Sequence, residues 1–298
     1  MTAASDEDGE ARLSTFKTLV TATANAIAED LERGQRYRHP NLARSREERA
    51  SRRRSHREFD ERGILLEYER RQLGAQRSFV NAAASARPGI LVLAEFYDRT
   101  TPFDQPHAEL IATMLAASAE ANGRVWLNRV EGAAIAEALE RTGQDLLAAG
   151  LPRFAAAAFD QAANIHGRFK NARAEDRCEY LKSSAHRRTY PWWTPMRLMW
   201  TLSWALFGYG YKPMRLLVWI ALTVAGFIAY MLHLPRDPTV TSGDAFYLAI
   251  QNFVNPMGLG DAKQVSAKWE AALEIETYIG DILRNIFFVL LIRRWFRL

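Results

Sequence analysis

The feature that most constrains this chain is Leu216–Leu234, nineteen consecutive residues without a charged side chain, with only Thr223, Gly226, Tyr230 and His233 relieving its apolar character. At ~1.5 Å per residue a helix of that length reaches about 28 Å, enough for one crossing of a ~30 Å hydrocarbon core. The mean hydropathy of −0.23 is too polar for a protein that lies in a membrane throughout. A 298-residue chain of this kind is therefore expected to combine a soluble domain with a membrane module of one or two spans. Lys212 and Arg215 precede the run, and Arg293, Arg294 and Arg297 lie at the far end of the sequence. Cationic flanks favour the cytosolic side, so both ends of the module are expected there and the number of crossings is expected to be even.

The second crossing is expected at Ala271–Ile292, although its first half holds Glu274, Glu276, Asp281 and Arg284. Charges are costly in hydrocarbon, so these four should face a pore, a neighbouring subunit or water. Asp281 and Arg284 are three residues apart and can pair along one helix face. If the segment lines a pore, Glu274 and Glu276 form acidic rings near its outer mouth that favour cations. In the plainer alternative the helix is half outside the membrane and only Ile282–Ile292 is buried in it. Between the two crossings lies Gly243–Phe253, a segment of half-span length, followed by the loop Asn255-Pro256-Met257-Gly258-Leu259-Gly260-Asp261.

The entry to this module is aromatic. Trp192, Trp193, Trp200 and Trp204 place four of the chain's eight tryptophans in a short stretch. Tryptophan favours the headgroup level, where its ring is buried and its N–H stays wet. Met196–Phe207 is too short to cross and is expected to lie along the inner leaflet; the alternative is a packed helix of the soluble domain. Trp295 serves as an anchor at the other end. In Gly208-Tyr209-Gly210-Tyr211-Lys212-Pro213 the glycines permit a sharp turn, and the proline suits the start of a helix.

This arrangement over Trp192–Leu298 resembles bacterial two-span membrane proteins with a potassium-channel-type pore module. In that family a soluble, often repeat-bearing domain joins the first span through a Gly-Tyr-Gly-x-x-Pro turn. The resemblance implies a re-entrant pore helix whose negative C-terminal end faces the ion path, and a following loop that offers backbone carbonyls. Against the family's Thr-Val-Gly-Tyr-Gly-Asp filter this chain has Pro256-Met257-Gly258-Leu259-Gly260-Asp261, matching at Gly258, Gly260 and Asp261. Pro256 lacks the hydroxyl that would bind the ion, and Leu259 lacks the ring that braces the filter. The resemblance thus implies a poorly selective cation pore, or a pore-shaped module that no longer conducts and serves assembly, signalling or a defence effector. It also implies a homo-oligomer, a tetramer by analogy, in contact with membrane lipid and multi-pass in the inner membrane, with both termini cytoplasmic.

The remaining two thirds read as all-α. Asp6, Glu7, Asp8 and Glu10 make an acidic opening unlike a secretory signal, so this part is expected in the cytosol. Residues 1–62 are expected to be a partly disordered region of mixed charge, with an amphipathic helix over Leu13–Leu31 that Gly34 can end. Arginine is concentrated in 33–71, and the mixed charge of Arg36–Arg62 reads as a solvated helix or linker, with a site for lipid headgroups, RNA or an acidic partner as the alternative. Ile90–Tyr97 fits a strand or a buried helix. Over residues 63–189, and most clearly in Gln144–Arg188, helices with alanine contact faces suggest degenerate tetratricopeptide-like hairpins that bind a protein partner or hold a scaffold. An interfacial segment 190–213 and the pore-like domain 214–298 complete the expected organisation.

Catalytic signatures are not evident: the sequence offers no nucleophile–base pair and no phosphate loop, so an enzyme is not expected, nor a cofactor or nucleic acid. The single cysteine, Cys178, precludes an internal disulfide and reads as a buried thiol. With one cysteine, and with His166 and His186 too far apart for a helical pair, no metal site is expected.

Overall fold

The computed structural model describes residues 3–38, 61–82, 91–103, 105–124, 127–212, 214–233, 242–254 and 267–296, and every regular element among them is helical. The filter-like loop Asn255–Asp261 and Arg52-Arg53-Arg54 lie outside these residues. The chain divides into two compact units, with the boundary between Pro191 and Trp192.

The first unit is a helical domain. Helix α1 (Ala3–Arg38) buries Phe16, Val20, Ala24, Ile27 and Leu31; of the other apolar residues expected on that face, Leu13 is partly buried and Leu19 is exposed. The helix begins earlier than Leu13 and runs through Gly34, so the ~1 kcal/mol helix penalty of one glycine does not end it. Helix α2 (Glu61–Ala82) lies against it, with Phe16 and Phe79 ring centroids 5.2 Å apart. A single helical turn, α3 (Ala94–Tyr97), forms the second half of the ambiguous Ile90–Tyr97 run, of which Ile90 lies outside the described residues, with Leu93, Phe96 and Tyr97 buried. Helix α4 (Pro106–Gly123) is the centre of the unit and touches α1, α2 and the next helix, α5. It is buried nearly all round, through Ala108, Ile111, Ala112, Met114, Leu115, Ala116, Ala117 and Ala119.

Helices α5 (Arg129–Ala148), α6 (Pro152–Arg168) and α7 (Ala172–Thr189) follow as consecutive hairpins. Asn128 starts α5 with a reciprocal capping box to Glu131. Both connecting turns close in the same way. Leu151 N–H donates to Leu146 O at 2.9 Å and Asn171 N–H to His166 O at 2.9 Å, around left-handed Gly150 (φ 77°) and Lys170 (φ 55°). This is the Schellman arrangement, which satisfies the last carbonyls of a helix. The alanine face read from the sequence is real: Ala155, Ala156, Ala158, Ala162 and Ala163 of α6 are buried. The approach of α5 to α6 is closer still at Gly143, where a β-carbon would lie 2.7 Å from the Phe159 ring.

The second unit contains α8 (Pro195–Phe207), a 3-10 turn at Gly208–Gly210, α9 (Met214–His233), α10 (Ser242–Val254) and α11 (Ala267–Phe296). Thr194 Oγ1 accepts from Arg197 N–H at 3.4 Å to cap α8. The turn after α8 uses left-handed backbone at three successive residues, Gly208 (φ 55°), Tyr209 (φ 57°) and Gly210 (φ 87°), the conformation expected of the glycines there. Helix α9 is the one described helix both long and apolar enough to cross a membrane, and only 11% of its apolar window is covered by protein. Helix α11 has 30 residues, ample length, but carries the charges noted above. Helices α9, α10 and α11 each pack against the other two.

Candidate functional site

Where α10 meets α11, two surfaces of mostly apolar residues enclose a small polar cluster. Helix α10 has 13 residues, so at ~1.5 Å each it reaches about 20 Å, well short of a bilayer core. Near its end Asn252 is buried and donates from Nδ2 to Leu273 O at 2.7 Å and to Glu276 Oε2 at 3.2 Å. Thr277 Oγ1 donates back to Asn252 Oδ1 at 2.9 Å. The second Glu276 oxygen, Oε1, is buried without a hydrogen-bond partner among the described residues. One turn further on, Phe253 lies against Gly280, where a β-carbon would come within 2.9 Å of its ring. The half-length helix is thus held to the long one by a buried amide and by a glycine that admits an aromatic ring.

The C-terminal end of α10 is occupied by Arg284. Its guanidinium donates to Val254 O at 3.2 Å and pairs with Asp281. The expected Asp281–Arg284 pair therefore forms, and it adds a contact the spacing alone could not reveal. The two glutamates expected to act together are placed differently: Glu276 is fully buried against α10, whereas Glu274 is exposed. Two residues along a helix correspond to about 200° of rotation, which explains their opposite surroundings.

The tryptophans also separate. Trp192, Trp193 and Trp295 are 76%, 70% and 78% exposed, whereas Trp200 and Trp204 are half-buried where α8 meets the turn and α9. Trp200 contacts Tyr209 with centroids 5.8 Å apart. Arg215 lies over Trp204 at 5.6 Å, and Trp219 Nε1 donates to Ala205 O at 3.1 Å. Leu198, Met199 and Leu202, spaced at helical intervals, form an exposed apolar stripe on α8.

The helical domain has two polar sites of its own. A cavity of about 430 Å³ is lined by Tyr68, Gln72, Ser118, Gln161, Asn164 and Arg168, among others. Within it Gln161 Nε2 donates to the Tyr68 hydroxyl at 3.4 Å, and Gln161 Oε1 is buried without a hydrogen-bond partner among the described residues. The second site joins α5, α6 and α7 at one oxygen. Glu140 Oε1 lies 3.0 Å from His166 Nε2, 2.8 Å from the Arg177 guanidinium and 3.2 Å from Cys178 Sγ. Burial pushes the Glu140 pKa up, but the hydrogen bonds from Arg177, Cys178 and His166 outweigh it and leave the carboxyl below its usual range. Burial, and then the neighbouring Glu140 charge, push the Cys178 thiol up. His166 thus meets Glu140 and Cys178, which are 26 and 12 residues distant along the chain, instead of His186. No local spacing rule could have found this cluster.

Buried acids elsewhere are equally committed. Glu120 accepts from Val92 N–H (2.7 Å), Leu93 N–H (3.2 Å), the Tyr97 hydroxyl (2.8 Å) and Arg124 (3.2 Å). Burial and then the Glu120 charge raise the Tyr97 pKa, so its hydroxyl stays a donor. Glu61 Oε1 accepts from Arg153 N–H at 2.6 Å, at the N-terminus of α6, where a carboxylate offsets the helix dipole.

No family model, curated protein or solved structure matches this chain.

Proposed function

We propose that this chain is an integral membrane protein whose last third is a channel-like pore module, cation-permeable and poorly selective, governed by its cytosolic helical domain. The observation that carries this reading is the half-length α10 seated between α9, the one described span candidate, and the longer α11. In this reading α9 and α11 are two crossings and α10 is re-entrant. A short helix and irregular backbone at membrane depth are tolerated when packed against protein or lining a cavity, and α10 meets that condition through Asn252 and Phe253. The apolar stripe of α8 and its neighbouring tryptophans suit a helix lying in the headgroup layer. Subunits assemble around the pore loop Gly258–Gly260, and a ligand or protein partner acts on the helical domain, whose polar cavity beside Tyr68 and Gln161 is a suitable place.

One specific observation favours the second reading, a non-conducting membrane-anchored scaffold, signalling or defence-effector protein that uses the module for assembly. Arg284 places a cation at the negative end of α10, where a pore helix of this type would attract an ion.

Ion flux in liposomes holding the full-length protein separates the two. Under the first reading cations pass, Gly258→Ala abolishes the flux, and Arg284→Gln raises it several-fold by removing the positive charge. Assembled oligomers that pass no cation, either as the parent or as Arg284→Gln, would place the protein with the scaffolds.

A further inference from the structure

We propose that Glu140, His166 and Cys178 form a zinc site in the helical domain, independent of any role of the membrane module. The three side chains come from three successive helices, and their ligand atoms all lie within 4.8 Å of one another. They are 7%, 4% and 0% exposed, respectively, so the donor set is buried rather than a chance meeting of surface side chains. The chemistry of the set is right: one thiol, one imidazole and one carboxylate are common ligands of this borderline-soft ion.

The present hydrogen bonding gives a further reason. His166, Arg177 and Cys178 all converge on the single oxygen Glu140 Oε1, which has two lone pairs to offer. That oxygen is overcommitted. A metal ion among the three ligands replaces competing donors with one centre that all of them satisfy. Ligand bonds of ~2.0–2.3 Å arranged tetrahedrally put ligand atoms about 3.3–3.7 Å apart. The observed oxygen–nitrogen and oxygen–sulfur separations, 3.0 and 3.2 Å, are within a few tenths of an ångström of that spacing, and the nitrogen and sulfur lie no more than 4.8 Å apart.

On binding, the Cys178 thiol loses its proton to solvent and its sulfur takes the metal as thiolate. His166 presents the lone pair of Nε2, with its proton on Nδ1, and Glu140 Oε1 completes three protein ligands. Arg177 gives up its place at Oε1. Its side chain is 58% exposed, so the guanidinium can turn out to water. Water fills the fourth position, the arrangement of an open site. The ion then ties α5, α6 and α7 together at one point.

The test is titration of the metal-stripped, full-length protein in detergent with cobalt as a spectroscopic stand-in and then with zinc. The expected result is one equivalent of cobalt with a thiolate-to-cobalt charge-transfer band, and displacement of that band by zinc. Cys178→Ser should abolish the band, and His166→Gln should weaken binding by more than the ~10–100-fold that loss of an outer-shell partner costs. Arg177→Gln, which removes the competitor and leaves the ligands, should bind more tightly. Absence of the band in the parent protein overturns the proposal without reliance on any variant. So does a band that persists in Cys178→Ser, or an affinity that falls in Arg177→Gln.

Discussion

The helical domain and the Trp192–Phe296 module handle the same side chains in opposite ways. In the former, the large hydrophobics described as exposed are Leu19 on α1, Leu66, Leu73 and Val80 at seven-residue intervals on α2, and Val130 on α5. In the module, α9 alone exposes Leu217, Val218, Trp219 and Leu222, and α11 adds Ile275, Tyr278, Ile279, Ile282, Phe288, Val289 and Ile292. Scattered apolar side chains are ordinary on a water-facing surface, whereas contiguous ones call for another occupant, either lipid or protein. Polar groups reverse the pattern. The domain buries Glu61, Glu120, Glu131 and Glu140, each with named donors, while the module's described interior relies on Asn252, Thr277 and Glu276. One unit hides apolar surface and can satisfy buried charge from many sides; the other displays apolar surface and spends its few polar groups on helix-to-helix contacts.

The contrast breaks most readily at Glu120. Glu120→Ala leaves the Val92 and Leu93 amides and the Tyr97 hydroxyl without this acceptor and removes one of the carboxylates paired with Arg124, and loss of one partner from a buried ionic network costs about 3–5 kcal/mol. Thermal unfolding followed by circular dichroism should show the helical domain melting well below the parent. An unchanged transition would mean that the network contributes nothing net.

A smaller effect is expected in the module. Asn252→Ala removes one interhelical hydrogen-bonding side chain, and such contacts between membrane helices are worth roughly 0.6–2 kcal/mol. Cysteines introduced at Val254 and Arg284, crosslinked in the parent background, should crosslink more slowly in Asn252→Ala while the domain's melting is unaltered. Equal crosslinking would show that Phe253 against Gly280 suffices to seat α10.

The smallest effect concerns pH. The folded-state pKa of Glu140 is depressed, so its stabilising contribution is fully present above the unfolded carboxyl's pKa and is lost as pH falls through the lower, folded value. The melting temperature of the helical domain should therefore fall on acidification within the carboxylate range, and Glu140→Gln should flatten that part of the profile. A profile identical in the variant would remove Glu140 from the account of acid sensitivity.

How much of this was legible beforehand follows from the range of the interactions. The α1 stripe and the alanine face of α6 repeat with helical period and the run of α9 is continuously apolar; all three are helical in the structure, with most of the α1 and α6 face residues buried. The Asp281–Arg284 pair was equally local. Asn252 with Glu276, Glu61 with the start of α6, and Glu140 with His166 and Cys178 join residues between 12 and 93 positions apart, and tertiary packing alone creates them.

The central claim is that the two regions face different solvents, and labelling of single introduced cysteines tests it most directly. Val130→Cys, Leu222→Cys and Ile282→Cys are exposed positions of the protein by itself, while native Cys178 is buried and gives a low background. In sealed liposomes made permeable to a hydrophilic maleimide by a channel-forming peptide, Val130→Cys should label rapidly. Leu222→Cys and Ile282→Cys should label only after detergent dissolves the bilayer. Labelling of Leu222→Cys at the rate of Val130→Cys before detergent would contradict the claim.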